Sequence, residues 1–405
     1  MIPPEPLRIA LFTHDTFGLG HVRRSLRFMR RLSRDAPEAA LLLVSGSPAL
    51  GLFEDLPPHT DVVKIPTVAR TGTAGNRPPH LPLPLTDITR IREQIIRETL
   101  LAFAPHVLLV DNFPLGSRGE LRSTLEAVRQ SGTKTVLGLR DILDAPEVVR
   151  RDWKRQGTYE VLDHLYDVIL VYGMQELFDV AAAYALLERT AQKLVYCGYV
   201  TESVLPRATQ NGAERFLLAT GGGGGDAFPL LNVFVDALSL LPDPVPALLF
   251  TGPLMGAHDR ALLHAKASDL PNLSIKAFDP NLPSLFSSAE VVVSMCGYNT
   301  TAEVLASGAR AVMVPRTWRY GEHEKGDAGG REWEQLLRAR ALADMGLIDL
   351  IEPEALTPEH LAGRILAQST ARRPDPAVSL DGVNRVSEEV LKLARTRGDA
   401  WRTIA

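Results

Sequence analysis

The sequence predicts a two-domain α/β protein in which each domain is a Rossmann-like, doubly wound parallel sheet. Three observations indicate this. The chain of 405 residues is too long for one compact domain. Short runs of Val, Ile and Leu alternate with longer amphipathic stretches, and this alternation starts again after a polar segment at 201–214. Continuous apolar runs between helices are typical of strands that are buried on both faces of a parallel sheet.

The first domain is predicted from seven apolar runs with helical segments between them. Helices are expected at 22–34 and 92–104, where apolar residues recur with a helical period. Right-handed crossovers through such helices give a doubly wound sheet. The expected strands lie at 8–14, 40–46, 62–68, 107–113, 135–141, 167–173 and 193–200.

The second domain is predicted to follow a linker at 201–214, which is polar and has no apolar period. Its expected strands lie at 215–221, 247–252, 273–278, 291–297, 310–315 and 347–353. We therefore predict a first domain at 1–205, a second at 206–375, and a C-terminal segment at 376–405 that reads as helix over 380–400. The sequence does not indicate where this last helix docks.

The composition excludes several classes of function. The formal net charge is -4, from 44 basic and 48 acidic residues. Non-specific nucleic-acid binding needs a basic surface, so we expect no nucleic-acid partner. The two cysteines, Cys197 and Cys296, are far apart in the sequence and fit a reduced, cytoplasmic compartment. The histidines share no metal-ligand spacing, so no metal site is expected. No other cofactor is predicted.

Membrane signals are weak in this sequence. The first residues contain no apolar signal core. No apolar run reaches the roughly 18 residues that span a bilayer. We therefore expect a cytoplasmic protein that makes at most a weak peripheral membrane contact.

Five consecutive glycines, Gly221 to Gly225, follow the first strand of the second domain and precede an apolar helix. Glycine lets the backbone approach a ligand closely. The free N–H groups at a helix N-terminus favour a phosphate or diphosphate. A flexible strand–helix turn is the other interpretation, but such a turn needs only one or two glycines. The sequence therefore predicts a phosphate-binding loop, although no Gly-Lys-Ser/Thr of a P-loop follows.

A second motif at 291–315 joins a buried strand to a helix. Gly297 ends the strand, Asn299 and Thr300 are candidate caps of the helix, and Glu303 follows within its first turns. A carboxylate at the carboxyl edge of a parallel sheet can accept hydrogen bonds from two ribose hydroxyls. An acidic residue near a helix N-terminus is also favoured by capping and by the helix dipole. The residues alone leave both interpretations open.

Together these segments resemble the C-terminal donor domain of the MurG-like GT-B glycosyltransferases. The resemblance covers about 215–360 and rests on the glycine loop, on Ser-x-x-Gly-x-x-Thr-x-x-Glu at 294–303, on a Val-Pro strand end and on a later Glu-Gln pair. It implies the GT-B fold, in which two Rossmann-like domains face each other across a cleft. The five-glycine run and the long loop at 316–330 depart from the family pattern.

The resemblance also implies a donor site. It assigns the donor diphosphate to the glycine loop, the ribose to Glu303, the sugar hydroxyls to a Glu-Gln pair, and the nucleobase to the backbone after the strand at 273–278. The same site would include the turn and first residues of the helix in the second motif. The implied donor-site residues are Gly222, Gly223, Gly224, Gly225, Phe278, Gly297, Asn299, Thr300, Glu303, Glu334 and Gln335.

The first domain contains one matching feature, a strand, glycine loop and helix at 8–32. Here Gly18-Leu19-Gly20-His21 resembles the family's N-terminal loop, in which a histidine lies at the interdomain cleft. An inverting transfer needs a base that takes the acceptor's proton. A histidine beside a helix N-terminus is held neutral by the dipole and can accept that proton. The alternative is that His21 only caps the helix or packs at the surface.

Polar residues at other strand ends are secondary candidates. Asp15 and Asp111 could each serve as the base or orient His21, and Arg140 could bind the acceptor. An ordinary loop or capping role is the alternative for each of them. Arg24, in the first turn of the helix after His21, could meet an anionic acceptor or a donor phosphate, but a solvated face is the favoured interpretation.

The leading hypothesis is an inverting, metal-independent glycosyltransferase that uses a nucleoside-diphosphate sugar, with UDP as the nucleotide. The second domain would bind the donor and the first a small-molecule or lipid-linked acceptor, with His21 as the base and the loop at 70–85 as a lid or platform. Two rival interpretations remain open. One is a nucleotide-sugar epimerase or hydrolase of the same fold, and the other is a non-catalytic sugar-nucleotide-binding subunit.

Overall fold

The structure, a computed structural model, describes residues 5–14, 20–48, 50, 55–70, 76–201, 215–279, 281–317, 332–374 and 378–402. The chain divides into two compact units. The first consists of Met1–Asp141, Pro146–Val200 and Asp381–Ala405, and the second of Ile142–Ala145 and Thr201–Leu380. The predicted domain boundary at 205/206 lies within 202–214, outside the described residues.

The first unit is built on a parallel sheet that has seven strands within the described residues. The strands of this unit are β1 (Arg8–Thr13), β2 (Ala40–Ser45), β3 (Thr60–Lys64), β4 (Ala69–Arg70), β5 (Asn76–Arg77), β6 (Val107–Asp111), β7 (Lys134–Arg140), β8 (Val168–Tyr172) and β9 (Leu194–Tyr196). The sheet order is β3-β2-β1-β6-β7-β8-β9, while β4 and β5 form a separate antiparallel pair. The chain therefore starts in the middle of the sheet and winds outwards in both directions, as predicted.

Helices connect these strands and pack on the sheet through their apolar residues. In α1, for example, Val22, Leu26 and Met29 are buried at helical spacing. The helices of this unit are α1 (Gly20–Asp35), α2 (Leu85–Phe103), α3 (Arg122–Gln130), α4 (Pro146–Gln156), α5 (Thr158–His164), α6 (Val180–Ala183) and α7 (Glu188–Ala191).

The second unit repeats this topology with six parallel strands among the described residues. The strands are β10 (Leu217–Thr220), β11 (Ala247–Phe250), β12 (Leu273–Lys276), β13 (Val291–Ser294), β14 (Ala311–Met313) and β15 (Asp349–Leu350). Their order is β12-β11-β10-β13-β14-β15. The helices are α8 (Phe228–Leu238), α9 (Ala257–Lys266), α10 (Leu282–Phe286), α11 (Tyr298–Ser307), α12 (Glu334–Asp344) and α13 (Pro358–Thr370).

The last helix, α14 (Gly382–Arg402), belongs to the first unit. It packs on α1, where Ser387 Oγ donates a hydrogen bond of 2.7 Å to Asp35 Oδ2. Its first residue, Gly382, lies so close to the backbone of Tyr199 that a Cβ would come within 2.7 Å of the Tyr199 carbonyl oxygen. A glycine is therefore needed where the chain returns to the first unit.

A short segment of the first half belongs to the second unit. In Ile142–Ala145, Asp144 Oδ1 accepts a hydrogen bond of 2.9 Å from the backbone N–H of Trp333. Burial raises the pKa of this carboxyl group above its usual value. The sequence did not predict this excursion, because nothing in a local pattern shows a contact between residues so far apart.

None of the described helices is long and apolar enough to cross a membrane.

Candidate functional site

Within the described residues, His21, Asp111 and the glycine loop lie after or at the carboxyl ends of strands that flank the point in each sheet where the strand order reverses. In the first unit this point lies between β1 and β6, and in the second between β10 and β13. Ligands of doubly wound sheets bind at such switch points, because loops from adjacent strands leave in opposite directions there.

In the first unit, His21 and Asp111 are brought together from α1 and the end of β6. His21 Nδ1 lies 2.6 Å from Asp111 Oδ2, and the side chain of His21 is 15% exposed. Burial lowers the pKa of His21 below its usual 6.5, against an opposing effect of Asp111, so the imidazole is neutral at pH 7. An ionised carboxylate only accepts hydrogen bonds, so Nδ1 carries the proton and Nε2 keeps a lone pair.

Arg24 completes this cluster from the next turn of α1. It donates from Nε to Asp111 Oδ1 at 3.0 Å and from Nη2 to Asp111 Oδ2 at 2.8 Å. Nη2 also lies 2.8 Å from His21 Nδ1. A guanidinium can only donate, so this contact alone would favour an unprotonated Nδ1, but the shorter contact with the carboxylate requires a proton there and decides the tautomer. The prediction that Arg24 lies on a solvated face is wrong, because its side chain is buried against Asp111.

These contacts bear on the two roles predicted for Asp111. Arg24 and His21 hold the pKa of its carboxyl group well below its usual range, although burial alone would raise it. A carboxylate that binds protons so weakly is a poor base near neutral pH. The contacts therefore favour the second role, in which Asp111 orients His21.

A second histidine, His14, packs against this cluster from the end of β1. Its ring centroid lies 4.7 Å from that of His21 and 4.1 Å from that of Phe113. His14 is 3% exposed, and its Nδ1 has no hydrogen-bond partner among the described residues. Burial and the neighbouring His21 hold the pKa of His14 well below its usual value, so this ring also stays neutral. No local pattern in the sequence indicates this contact.

Arg140, at the end of β7, is held by the residue that follows Asp111. Its Nε donates to Asn112 Oδ1 at 3.2 Å, and Asn112 has a left-handed φ of 65°. Such a backbone conformation is costly for a residue other than glycine and is often found at functional sites. Gly20 is the first residue of α1, whereas Asp15 and Gly18 lie outside the described residues.

In the second unit, two of the five glycines are required by packing. A Cβ on Gly221 would lie 2.3 Å from Ala227 Cβ, and one on Gly224 would lie 2.3 Å from the carbonyl oxygen of Thr251. Gly224 also has a φ of 93°. Gly223 differs, because a Cβ there would meet nothing closer than Leu254 Cδ1 at 3.8 Å. Close packing therefore explains why Gly221 and Gly224 are glycines. It does not explain a glycine at the exposed position 223.

Some N–H groups of the glycine loop bond within the loop, and others have no acceptor among the described residues. Gly222 donates to Thr220 Oγ1 at 3.2 Å, and Gly224 donates to the carbonyl oxygen of Gly221 at 3.0 Å. The N–H groups of Gly223 and Gly225 have no acceptor among the described residues. The donors of Gly222 and Gly224 are therefore used inside the loop, while the predicted contact of Gly222 to Gly225 with a diphosphate stays a prediction.

The loop after β11 supports the glycine loop from one side. A Cβ on Gly252, whose φ is 84°, would lie 2.6 Å from the carbonyl oxygen of Gly222. Gly252 N–H donates to the carbonyl oxygen of Ala277 at 3.0 Å, which brings the backbone before Phe278 to the same edge. Phe278 is 54% exposed and Leu254 is 42% exposed, so both offer apolar surface there. Gly252 and Leu254 were not predicted, although a glycine two residues after a strand was a usable signal.

The second motif adjoins the glycine loop on its other side. The helix α11 begins at Tyr298 with Gly297 as its N-cap, so the prediction that Asn299 and Thr300 cap it is wrong. Both lie in the first turn instead, and Thr300 Oγ1 is 3.3 Å from where a Cβ on Gly222 would be. Asn299 Oδ1 is buried without a hydrogen-bond partner in the described residues. Glu303 is 4% exposed and lies in the next turn.

The third motif, Glu334-Gln335, starts α12 beside the same turn. Gln335 Oε1 accepts a hydrogen bond of 3.1 Å from the backbone N–H of Arg316. A backbone N–H can only donate, so Nε2 points the other way, where it lies 3.8 Å from the Cβ position of Gly297. Glu334 accepts a bond of 3.0 Å from Arg338, which is fully buried and also donates to the Cys296 carbonyl oxygen at 3.0 Å. The three predicted donor motifs thus adjoin one another.

Arg316, which sequence reasoning missed, links these motifs through its side chain. Its Nη1 lies 2.8 Å from Glu332 Oε2, and its Nε lies 3.4 Å from Asp226 Oδ2. Asp226 is the residue directly after the five glycines. Of the long loop at 316–330, only Arg316 and Thr317 are within the described residues.

Two further observations concern ligands. A cavity of about 410 Å³ in the first unit is lined largely by apolar side chains, including Ile65, Pro66, Leu81 and Ile88. Leu81 belongs to the loop predicted at 70–85, of which residues 71–75 lie outside the described residues. Within the described chain, no three His, Cys, Asp or Glu side chains are grouped as the ligands of a metal would be.

Comparison with known sequences finds its matches mainly in the second unit. Residues 222–367 match the glycosyltransferase family 28 C-terminal domain. Over 202 residues the chain is 27% identical to a UDP-N-acetylglucosamine--N-acetylmuramyl-(pentapeptide) pyrophosphoryl-undecaprenol N-acetylglucosamine transferase of Nitrobacter hamburgensis, with 48% of this chain and 52% of that protein covered. A Bacillus thuringiensis transferase of the same name is 28% identical over 150 residues, 36% of this chain and 37% of its own. The chain thus spans about half, or less, of the curated relatives it matches.

Comparison with solved structures extends over both units. The crystal structure of Acinetobacter baumannii MurG matches with a TM-score of 0.61 at 15% identity and covers 96% of this chain and 100% of that one. CalG4, the calicheamicin glycosyltransferase, matches with a TM-score of 0.57 at 16% identity, covering 98% of each chain. The predicted GT-B fold with two Rossmann-like domains is confirmed.

Proposed function

We propose that this chain, a MurG-like protein of the GT-B fold, transfers a sugar from a nucleoside-diphosphate sugar to an acceptor hydroxyl with inversion at the anomeric carbon. The observation that carries the proposal is the family 28 match over 222–367, which coincides with a glycine loop whose Gly223 and Gly225 N–H groups have no acceptor in the described chain. The curated relatives are named as transferases that use a UDP-linked sugar, and we propose UDP as the nucleotide here.

The glycine loop is proposed to hold the donor diphosphate. The N–H groups of Gly223 and Gly225 are available as hydrogen-bond donors, and the N-terminus of α8 adds positive potential. Such donors stabilise the negative charge that grows on the leaving diphosphate, and they are already in place before the reaction. The carboxylate of Glu303 would accept the ribose hydroxyls, and the exposed faces of Leu254 and Phe278 would contact the base.

His21 is proposed as the base. The acceptor oxygen attacks the anomeric carbon, its proton passes to His21 Nε2, and the bond from the anomeric carbon to the diphosphate oxygen breaks as the nucleoside diphosphate leaves. One displacement of this kind inverts the anomeric configuration. Asp111 supports the step because it holds Nδ1 protonated at 2.6 Å and stabilises the imidazolium that forms.

The first unit is proposed to bind the acceptor. Its cavity of about 410 Å³ is large enough for the apolar part of a small molecule or of a lipid chain. The relatives support both classes, since one is named for a lipid-linked acceptor and another for calicheamicin. A weak peripheral contact with a membrane and a cytoplasmic location belong to the same proposal, while no nucleic-acid partner is proposed.

The first experiment is a binding measurement by calorimetry with UDP, dTDP, GDP and their glucose and N-acetylglucosamine esters. We expect micromolar to millimolar affinity for the UDP compounds. Absence of binding to every nucleotide would overturn the proposal. Product analysis with and without acceptors then separates the rival functions, because an epimerase or a hydrolase changes the sugar without any acceptor. A His21→Ala variant that keeps turnover would exclude the proposed base.

A further inference from the structure

A carboxylate lies where the proposed function places an anion. Asp226 directly follows Gly225 and precedes α8, so its negative charge is adjacent to the loop that is proposed to hold a diphosphate. Its side chain is 15% exposed. Water therefore screens this charge only in part, and like charges at short range destabilise each other most strongly where screening is weak. An uncompensated Asp226 would oppose donor binding.

Arg316 supplies a compensating charge. Its Nε lies 3.4 Å from Asp226 Oδ2, and its Nη1 lies 2.8 Å from Glu332 Oε2. The arginine side chain is 20% exposed, and its planar guanidinium can face two carboxylates at once, which the point charge of a lysine does less well. The pair with Glu332 holds the guanidinium beside the loop, so Asp226 does not have to order the arginine alone.

The backbone of the same residue fixes a second part of the site. The N–H of Arg316 donates to Gln335 Oε1 at 3.1 Å, and the carbonyl oxygen of Thr317 accepts from the N–H of Glu332 at 3.0 Å. The end of β14 is therefore tied both to the residue after the glycine loop and to the start of α12. Side-chain and main-chain contacts of Arg316 can be separated by substitution, since any residue except proline keeps the N–H.

We propose that Arg316 is a positioning residue of the donor site, which neutralises Asp226 and thereby keeps the glycine loop receptive to a diphosphate. This inference rests on the proposed function of the glycine loop. It assigns Arg316 no contact with the substrate. The charge acts through Asp226, so its effect is specific to ligands that carry phosphate.

The test measures the affinities of UDP and uridine for the full-length protein and four variants. Arg316→Met removes the charge and keeps the length of the side chain, while Arg316→Lys keeps the charge. Asp226→Asn removes the repulsion, and the double variant Arg316→Met/Asp226→Asn removes both charges. Circular dichroism and thermal melting establish that each variant is folded.

We expect Arg316→Met to weaken UDP binding by about tenfold or more, the order for the removal of one positive charge beside a partly buried anion at an effective dielectric constant of about 20. Uridine affinity should change by less than about twofold, since uridine carries no phosphate. Arg316→Lys should keep most of the wild-type UDP affinity. The double variant should regain most of the affinity that Arg316→Met loses. Asp226→Asn alone should bind UDP as well as or better than the wild type.

Two results would overturn this inference while leaving the proposed function intact. One is wild-type UDP affinity in Arg316→Met. The other is an equal loss of UDP and uridine binding that Asp226→Asn does not restore, because that pattern belongs to a general distortion of the domain. A wild-type protein that binds neither UDP nor uridine contradicts the proposed function, and the inference then fails with it.

Discussion

Replacing Asp111 by asparagine tests the arrangement around His21 most directly. The change keeps the size of the side chain and removes a charge that accepts three short contacts, at 2.6 Å from His21 and at 2.8 and 3.0 Å from Arg24. The amide can present its nitrogen to His21 Nδ1 and thereby favour the other tautomer, in which Nε2 carries the proton. A protonated Nε2 cannot accept the acceptor's proton, so the proposed base would be lost.

The size of the effect follows from these contacts. General base catalysis contributes about 10²- to 10⁴-fold, and we expect kcat to fall within that range in Asp111→Asn. The KM for the donor should stay nearly constant, because the proposed donor loop belongs to the other unit. Breaking a buried ion pair on one side costs about 3 to 5 kcal/mol, and Arg24 here loses the carboxylate that accepts two of its hydrogen bonds. At about 2 to 4 °C per kcal/mol, a loss of 3 kcal/mol lowers the Tm by about 6 to 12 °C.

The pH dependence gives an independent readout. Asp111 raises the pKa of His21, so its removal lowers that pKa further below 6.5. The base is active above its pKa, so the acidic limb of the kcat/KM profile should lie below pH 6.5 in the wild type and move to still lower pH in the residual activity of Asp111→Asn.

Steady-state kinetics with the donor and acceptor identified by the binding and product assays measure these quantities, and Glu120→Gln is the matched control. Glu120 is also buried and accepts a bond of 2.7 Å from a buried arginine, Arg92, but it has no bond to His21. The control should lose comparable stability and keep kcat within about tenfold at a temperature where it is folded. Equal losses of kcat in Asp111→Asn and Glu120→Gln would refute the reasoning, because the effect would then follow stability alone.

Three further predictions address the donor loop, the ribose contact and the buried histidine. Gly224→Ala should lower the free energy of unfolding by about 1 to 3 kcal/mol and weaken UDP binding, because a Cβ at φ 93° meets the Thr251 carbonyl oxygen. Gly223→Ala should keep the wild-type free energy of unfolding. Thermal melting compares the stability of the two variants, and calorimetry compares their UDP affinity. Glu303→Gln should weaken UDP binding by about tenfold, since charged hydrogen bonds to the ribose are lost. The ratio of the affinities for UDP and 2′-deoxy-UDP should become smaller. An unchanged ratio would exclude the ribose contact. The pKa of His14 is lower in the folded state than its unfolded value of 6.5, so the wild type should lose stability as the pH falls below 6.5. His14→Phe should reduce this dependence of the free energy of unfolding on pH by up to about 1.4 kcal/mol per pH unit. Urea titrations at several pH values measure it.

The sequence predicts the fold because the strands carry a strong local signal. Each buried strand is a continuous apolar run, as in Val107–Asp111 and Val291–Ser294, and the switch-point topology follows from the alternation of strands with helices. The path of the chain end has no such signal. The helix Gly382–Arg402 is visible in the sequence, but its return to the first unit depends on close packing at Gly382 and on contacts with α1.

The site is predictable in part, and the unpredicted residues share one physical reason. Glycines and acidic residues after strands are visible locally, whereas the pairing of His21 with Asp111 joins residues 90 positions apart. The sequence favours a solvated face for Arg24 because charged side chains are seldom buried without a partner, and its partner comes from another strand. The sequence does not indicate Arg316 for the same reason, since its partners come from the loops before α8 and before α12.

The first switch point relies on charged side chains and the second on backbone N–H groups, and this difference follows from the proposed chemistry. At the first, a carboxylate and a guanidinium are buried together so that a neutral imidazole beside them keeps one fixed tautomer. At the second, backbone N–H groups carry the proposed ligand contact, and side-chain charges are balanced among themselves at its edge. A base must bind a proton and release it in each turnover, so it needs a titratable group with a tuned pKa. A diphosphate site must hold charge without exchanging protons, which fixed backbone dipoles do with little reorganisation. The residues sensitive to pH should therefore be concentrated in the first unit, and pH should affect donor affinity less than turnover.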